Sequence, residues 1–243
     1  MIFISIILFG IVVLLTHFLE GITGFGCTVI AMPFAIMLLG INIAKPVLTL
    51  YGILLCGYIV IISYKQIIWK HYFTIILFVG LGLPFGIYLF SVLPEGILKK
   101  LLAVFMVFVS IRGLILSYKP NKNIKAVNNI LLRILLFLGG IIHGAFTSGG
   151  PLVIIYSTEK IKDKSNFRAT LCLVWVTLNS ILLIQSTLAG KFTSSACKTS
   201  IYALPFLIAG ALLGNWAHHH IKDTIFSKLS YVILLLSAVF LVI

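Results

Sequence analysis

The sequence predicts an all-α membrane protein that crosses the bilayer many times, and three observations lead to this prediction. Apolar residues make up 61% of the 243 residues and charged residues only 9%, whereas a soluble domain carries about 25% charged residues. Apolar runs recur along the whole chain, and most approach the roughly 20 residues that an α-helix needs to cross a bilayer. The runs do not alternate with polar residues, as the strands of a transmembrane barrel would.

The formal net charge of +13 would suggest nucleic-acid binding in a soluble domain. Here the Lys and Arg residues lie at or near the ends of apolar runs, where they set the orientation of membrane helices. No soluble domain is predicted that could present a basic face, so nucleic acid is excluded as a partner. The four cysteines are scattered without metal or redox spacing, and we interpret them as packing residues. We predict neither a metal nor a cofactor.

Ten apolar segments are separated by polar residues or by glycine-rich breaks. A polar linker (119–129) divides the chain into a first transmembrane repeat (1–118) and a second one (130–243). Segments 27–40 and 151–158 are too short to span a bilayer, and whether they are re-entrant or spanning stays open. The ten segments are 2–22, 27–40, 46–63, 72–90, 97–117, 130–147, 151–158, 167–186, 199–217 and 225–243.

The two halves of the chain resemble each other. The break at Gly24–Gly26 corresponds to Ser148–Pro151, and the glycine pair in Gly82–Gly86 corresponds to the pair in Gly210–Gly214. Several matches in the same order indicate an internal duplication. We therefore predict two homologous repeats of four to five membrane helices each, with glycine-broken helices or hairpins near the midplane.

Charge predicts how these repeats are oriented. If each short segment forms a hairpin with the segment before it, most Lys and Arg residues fall on one side of the membrane. The positive-inside rule makes that side cytoplasmic and puts both termini outside the cytoplasm. An odd number of segments per half then inverts the second repeat, which is a common transporter design. The five basic residues left on the other side are Lys45, Lys99, Lys100, Lys191 and Lys198.

Each glycine-rich break begins a short helix inside an apolar region. Backbone freed at that depth is tolerated only where protein or a water-filled cavity satisfies it. Glycine lets a ligand approach the backbone, and a helix N-terminus attracts anions. We therefore predict an anion site formed by both breaks, with glycine-mediated helix packing as the alternative. The candidate substrate-binding residues here are Gly24, Gly26, Thr28, Thr147, Ser148, Gly149 and Gly150.

Ionisable residues stand close to both breaks. Glu20 is the only carboxylate within an apolar run, His17 lies one helical turn before it, and His143 stands ahead of the second break. Charges inside a membrane are costly and therefore functional candidates, so these three residues are candidates for proton coupling. A position of Glu20 at the membrane edge is the alternative. Arg168 either attracts anions on the cytoplasmic approach or serves as a positive-inside anchor.

The stretch Gly21–Pro33 resembles the glycine-rich signature of the TauE/SafE family, also called the sulfite exporter family. That signature reads G-x-x-G-x-G-G-G, followed by four apolar residues and a proline. His143–Pro151 resembles the second copy of the signature, and Phe167–Thr170 matches the sequence that follows it. The resemblance covers nearly the whole chain. Cys27 and Thr28 stand where the family usually has glycine, which leaves the identity of the substrate open.

The resemblance implies a secondary transporter in the plasma (inner) membrane of a bacterium. Its substrate would be sulfite, a sulfonate or a related organosulfur or organic anion, moved by export and with proton coupling as an option. The alternatives are a non-transporting membrane subunit and an intramembrane enzyme, although no protease or hydrolase motif occurs. The anion, the direction, the coupling ion and the oligomeric state are left open.

Overall fold

A computed structural model describes residues 2–118, 128–220 and Leu235. The described residues form nine α-helices and one 3-10 turn (Tyr64–Gln66), with no strand among them. The tenth predicted segment (225–243), apart from Leu235, and positions 119–127 of the predicted linker lie outside the described residues. The helices are α1 (Ile2–Thr23), α2 (Cys27–Leu39), α3 (Ile41–Ser63), α4 (Trp69–Val92), α5 (Glu95–Tyr118), α6 (Asn129–Phe146), α7 (Gly150–Lys160), α8 (Lys164–Leu188) and α9 (Ser194–His220).

Six of these helices, namely α1, α3, α4, α6, α8 and α9, are long and apolar enough to cross a membrane. The two segments predicted to be too short to span correspond to α2, with 13 residues, and α7, with 11 residues. At 1.5 Å per residue they reach only about 20 Å and about 16 Å, less than the roughly 30 Å of a hydrocarbon core. The predicted fold class, an all-α polytopic membrane protein, is therefore confirmed.

The short helix α7 folds back along α6. Gly139 lies two turns before the end of α6, yet a Cβ atom placed on it would come within 3.3 Å of Leu152 and 3.4 Å of Val153 in α7. A continuous helix would hold these residues far apart, so α6 and α7 form a hairpin.

Helices from the two halves of the chain pack in matching pairs. Helix α1 packs along α9 and α6 packs along α4, while α3 packs against α8. Two further pairs, α3 with α9 and α8 with α4, also match. Exchanging α1 with α6, α3 with α8 and α4 with α9 converts each contact into another member of the set. The boundaries of the repeats and their relative orientation stay predictions.

Glycines allow the close approach in the α4–α6 pair. A Cβ atom on Gly82 or Gly86 of α4 would lie closer than 3.0 Å to a backbone carbonyl oxygen of α6. Gly140 and Gly144 of α6 face backbone carbonyls of α4 at similarly short range. Backbone cannot move aside as a flexible side chain can, so glycine is required at these four positions.

Glycines also allow the close approach of α1 and α9. A Cβ atom on Gly210 would lie 2.6 Å from the carbonyl oxygen of Leu14, and one on Gly214 would lie 2.5 Å from that of Phe18. The glycine pairs in α4 and α9, which lie outside the breaks, therefore serve close helix packing.

Alanine at Gly82 is expected to destabilise the protein by about 1–3 kcal/mol, because the added methyl group overlaps backbone of α6. The matched control is Gly80→Ala, two residues earlier in the same helix, where a Cβ atom would meet nothing within 4 Å. Alanine favours a helix over glycine by about 0.5–1 kcal/mol, so the control is expected to be slightly stabilised. Thermal unfolding in detergent measures both, and equal shifts for the two variants would contradict this packing role.

Candidate functional site

The first break separates α1 from α2 over three residues. Gly24 has a φ of +80° and Gly26 a φ of +101°, a region of backbone conformation that glycine adopts without steric cost. The other half of the chain holds this break in place, because Trp175 Nε1 in α8 donates a hydrogen bond of 3.0 Å to the carbonyl oxygen of Gly24.

The second break separates α6 from α7. Thr147 has a φ of 57° and is the one non-glycine residue with positive φ in the described part of the chain. Its Oγ1 lies 3.3 Å from Oγ1 of Thr49 in α3, so the first half holds the second break. Ser148 Oγ donates locally to the carbonyl oxygen of Phe146 at 2.9 Å. Each break is thus anchored by the half of the chain that does not contain it.

Both breaks lie deep along the helices that anchor them. Thr49 stands eight residues after the start of α3 at Ile41, and Trp175 stands eleven residues after the start of α8 at Lys164. At 1.5 Å per residue these distances are about 12 Å and about 16 Å. Because α3 and α8 are both long enough to span a membrane, irregular backbone at this depth must be satisfied by protein or by a cavity.

A small cavity lies between the two breaks. Its volume is about 20 Å³, and on this measure a single water molecule needs about 10–15 Å³. The conformation described here is therefore closed around a space for roughly one water molecule. The lining residues are Glu20, Gly26, Thr28, Val29, His143, Thr147, Gly150, Trp175 and Asn179.

Six of the residues predicted from the sequence meet in this lining: Glu20, Gly26, Thr28, His143, Thr147 and Gly150. The other predicted residues, which are His17, Gly24, Ser148, Gly149 and Arg168, lie outside it. Gly149 instead packs against α6, where a Cβ atom would overlap the carbonyl oxygen of Gly139.

Sequence reasoning did not assign Trp175 and Asn179 to the site. The signal that could have found them is their spacing, because Arg168, Cys172, Trp175 and Asn179 recur at intervals of three and four residues along α8. Such intervals place side chains on one face of a helix.

Glu20 is buried in the membrane-spanning part of the protein, with 4% of its surface exposed. Its Oε1 lies 3.5 Å from the Cys56 thiol, and its Oε2 has no hydrogen-bond partner among the described residues. Cys27 also borders this carboxylate, and Cys172 borders Cys56. Three of the cysteines interpreted as separate packing residues are therefore neighbours. No set of His, Cys, Asp and Glu in the described ranges is arranged to hold a metal ion.

His143 lines the same cavity as Glu20 and belongs to the second half of the chain. Its ring stacks on Trp175 with centroids 5.5 Å apart. Asn179 lies next to this ring, but neither His143 ring nitrogen nor Asn179 Oδ1 makes a hydrogen bond of good geometry among the described residues. A buried polar atom without a partner costs about 1–3 kcal/mol. Several such atoms around one cavity indicate that it takes up water or a polar ligand.

Glu20 and His143 hold equivalent positions in their helices. The backbone N–H of Gly24 donates to the carbonyl oxygen of Glu20 at 2.6 Å, and that of Thr147 donates to His143 at 2.7 Å. Each ionisable residue thus stands four residues before the positive-φ residue that ends its helix. His17 lies one turn earlier in α1, where its Nδ1 is 2.8 Å from the carbonyl oxygen of Val13.

The family model described as Sulfite exporter TauE/SafE matches residues 8–241. The chain belongs to this family. Comparisons with curated proteins and with solved structures found no match. Because TauE/SafE proteins are transporters and not enzymes, this TauE/SafE protein is a multi-pass membrane transporter of an anion. The resemblance noted in the sequence is confirmed, and the intramembrane-enzyme alternative is excluded.

Arg168 of this TauE/SafE protein lies beside the first break, outside the cavity lining. Only 3% of its surface is exposed. Its Nη2 donates to Oδ1 of Asn215 at 2.9 Å, while its Nε has no partner among the described residues. A Cβ atom on Gly24 would lie 2.9 Å from the Arg168 Cα. The backbone of Arg168 therefore packs against the first break, and its guanidinium group is buried beside Asn215 of α9.

Proposed function

We propose that this protein is a secondary transporter that exports a small sulfur-containing anion, sulfite or a sulfonate or a related organic anion, across the plasma (inner) membrane of a bacterium. The cavity between the two breaks carries the proposal. It combines the free backbone ends of two short helices with the hydroxyl groups of Thr28 and Thr147. Helix N-termini and hydroxyl donors suit an oxyanion.

The closed cavity opens to each side of the membrane in turn as the two halves move against each other. The matching helix pairs support this scheme. Two halves with the same pattern of contacts can exchange conformations, which closes the cavity on one side of the membrane and opens it on the other. The repeats are residues 1–118 and 130–243, joined by the basic cytoplasmic linker 119–129. The second repeat is inverted, and both termini lie outside the cytoplasm.

Transport is coupled to protons through Glu20. A carboxylate and a substrate anion about 4 Å apart repel by about 4 kcal/mol at an effective dielectric constant of 20. The anion therefore binds when Glu20 carries a proton, and the two cross the membrane together. Such a symporter exports the anion when the outward gradient of the anion exceeds the inward gradient of protons. His17 and His143 are the candidates to relay the proton.

Flux from liposomes tests this function. Purified protein is reconstituted with sulfite inside, and efflux is followed with and without an imposed proton gradient. We expect saturable efflux that is faster when the loaded side is more acidic. Protein-free liposomes control for leak, and methanesulfonate, which stays an anion throughout, controls for leak of protonated sulfite.

Absence of flux for sulfite and for short-chain sulfonates would overturn the proposed substrate class. Co-purification of a stoichiometric partner in that case would favour the alternative of a non-transporting membrane subunit. Efflux at the same rate with and without the proton gradient would contradict the proton-coupling part of the proposal.

A further inference from the structure

Lys45 lies inside the protein, in contrast to the position at a segment edge that its charge suggests. Helix α3 begins at Ile41, so Lys45 is its fifth residue, and only 6% of its surface is exposed. Its Nζ donates a hydrogen bond of 2.7 Å to the carbonyl oxygen of Gly144. The same ammonium group lies 3.6 Å from the centre of the Phe90 ring.

No carboxylate pairs with Lys45 in the described ranges, where the recorded ion pair is Lys99 with Glu95. A second cation stands close by, because Lys191 Nζ lies 5.3 Å from the centre of the same Phe90 ring. Two ammonium groups around one ring repel each other, and the face of a ring offsets only part of that cost. A buried charge without a counter-ion is costly in free energy. The region around Lys45 and Lys191 therefore favours binding of an anion.

Lys45 adjoins the second break. Its carbonyl oxygen accepts a hydrogen bond from Thr49 Oγ1 at 2.8 Å, and Thr49 in turn contacts Thr147 of the cavity lining at 3.3 Å. Gly144, which holds the ammonium group, directly follows His143 in the chain. The ammonium group therefore lies about one helical turn before the second break, outside the residues that line the cavity.

Arg168 is the counterpart of Lys45. It is the fifth residue of α8, as Lys45 is the fifth residue of α3. Lys45 belongs to the first half and lies at the second break, whereas Arg168 belongs to the second half and lies at the first break. Each break thus has a buried basic residue of the opposite half packed close to it.

We propose that Lys45 is a substrate-binding gate residue, which receives the anion on the membrane face opposite the one served by Arg168. In the closed conformation the Gly144 carbonyl and the Phe90 ring hold its ammonium group. When that face opens, the group leaves these partners and binds the anion between the cavity and Lys191. This inference rests on the proposed function and adds a residue and a membrane face to it.

A purely structural role is the competing explanation, because an ammonium group close to the C-terminal end of α6 also stabilises the backbone carbonyls there. Three variants separate the two roles. Lys45→Gln keeps a donor for the Gly144 carbonyl but removes the charge, Lys45→Arg keeps the charge, and Lys198→Gln removes an exposed charge predicted on the same face.

The assay is exchange of radiolabelled methanesulfonate in proteoliposomes, together with thermal unfolding of each variant. We expect Lys45→Gln to raise the KM by about tenfold or more, as loss of a charged hydrogen bond does, with an unfolding midpoint that does not fall, because the variant also removes a costly buried charge. Lys45→Arg is expected to recover most of the affinity, and Lys198→Gln to match the wild type. An unchanged KM in Lys45→Gln, or equal damage in Lys45→Arg, would overturn the inference.

Exchange by the wild-type protein in the same assay separates the two proposals. If the wild type shows no exchange, the proposed function itself fails. If the wild type exchanges the anion and Lys45→Gln does so with the same KM, only the gate inference fails.

Accessibility gives a second test that does not depend on flux. Lys45→Cys and Arg168→Cys are each made in a Cys197→Ser background, because Cys197 is the exposed cysteine of the four. A membrane-impermeant thiol reagent is applied to intact cells and to inverted vesicles. We expect the two variants to react from opposite faces. Reaction of both from one face, or of Lys45→Cys from neither, would overturn the inference.

Discussion

Glu20→Gln is expected to abolish the response of anion flux to a proton gradient while anion exchange continues. Glutamine has the shape of the protonated acid, so the cavity keeps a neutral group that tolerates the anion. It cannot release a proton, however, and the coupled proton step is lost. The measurement is methanesulfonate efflux from proteoliposomes with and without a pH difference. We expect full loss of the stimulation seen in the wild type.

Glu95→Gln is the matched control for Glu20→Gln. Glu95 begins α5 at the surface and pairs with Lys99 at 2.9 Å, so the same chemical change is made far from the cavity. Flux of this control is expected to respond to the gradient as the wild type does. If Glu20→Gln keeps the gradient response, then Glu20 does not carry the proton, and His17 and His143 become the next variants to measure.

Gly26→Leu is expected to reduce flux by about 100-fold or more, equivalent to about 3 kcal/mol. Gly26 lines the cavity, and a Cβ atom on it would meet nothing within 4 Å. The Cβ atom therefore enters open space beside the site, and the rest of the leucine side chain occupies space that the anion needs. The positive φ of +101° adds strain of about 1–2 kcal/mol for any residue with a Cβ atom.

Gly190→Leu controls for that strain. Gly190 has a φ of +66° in the exposed turn between α8 and α9, again with nothing within 4 Å of a Cβ atom. We expect its flux to equal that of the wild type and its stability to fall about as much as that of Gly26→Leu. Equal flux in the two leucine variants would show that the cavity beside Gly26 is not on the transport path.

Gly149→Leu would not serve the same purpose. A Cβ atom there would overlap backbone of α6 and come within 2.8 Å of the His143 Cβ. Loss of flux in that variant would report a damaged α6–α7 hairpin as much as a blocked site. The two glycines that look equivalent in the sequence therefore differ in what their replacement tests.

The helices were predictable because each apolar run ends at residues that interrupt a helix in a recognisable way. Gly26 and Thr147 end or begin helices with positive φ, and the breaks were visible as clusters of small residues. The membrane-spanning class follows from these runs alone. Six of the cavity-lining residues were found because they stand within or just beside the breaks.

Lys45 escaped prediction because the start of α3 was placed at Pro46. The helix begins five residues earlier, after Gly40 with its φ of +76°. Asn42 and Lys45 make this stretch look like a polar linker, although its other side chains pack inside the protein. Proline is commonly the first residue of a helix, but Pro46 here lies inside α3.

The group around Glu20 escaped prediction for a different reason. Cys27, Cys56 and Cys172 come from α2, α3 and α8, and the spacing along one helix does not show which face meets which neighbour. Trp175 and Asn179 share a face of α8 by their spacing. That this face meets the cavity depends on the packing of α8 against α3, which no local pattern specifies.

Equilibrium binding of radiolabelled sulfite to the purified protein tests the central claim, an anion site between the two breaks, most directly. We expect saturable binding at one site per chain in the wild type and in Gly190→Leu, and loss of that binding in Gly26→Leu. Saturable binding that survives unchanged in Gly26→Leu would place the anion elsewhere in the protein.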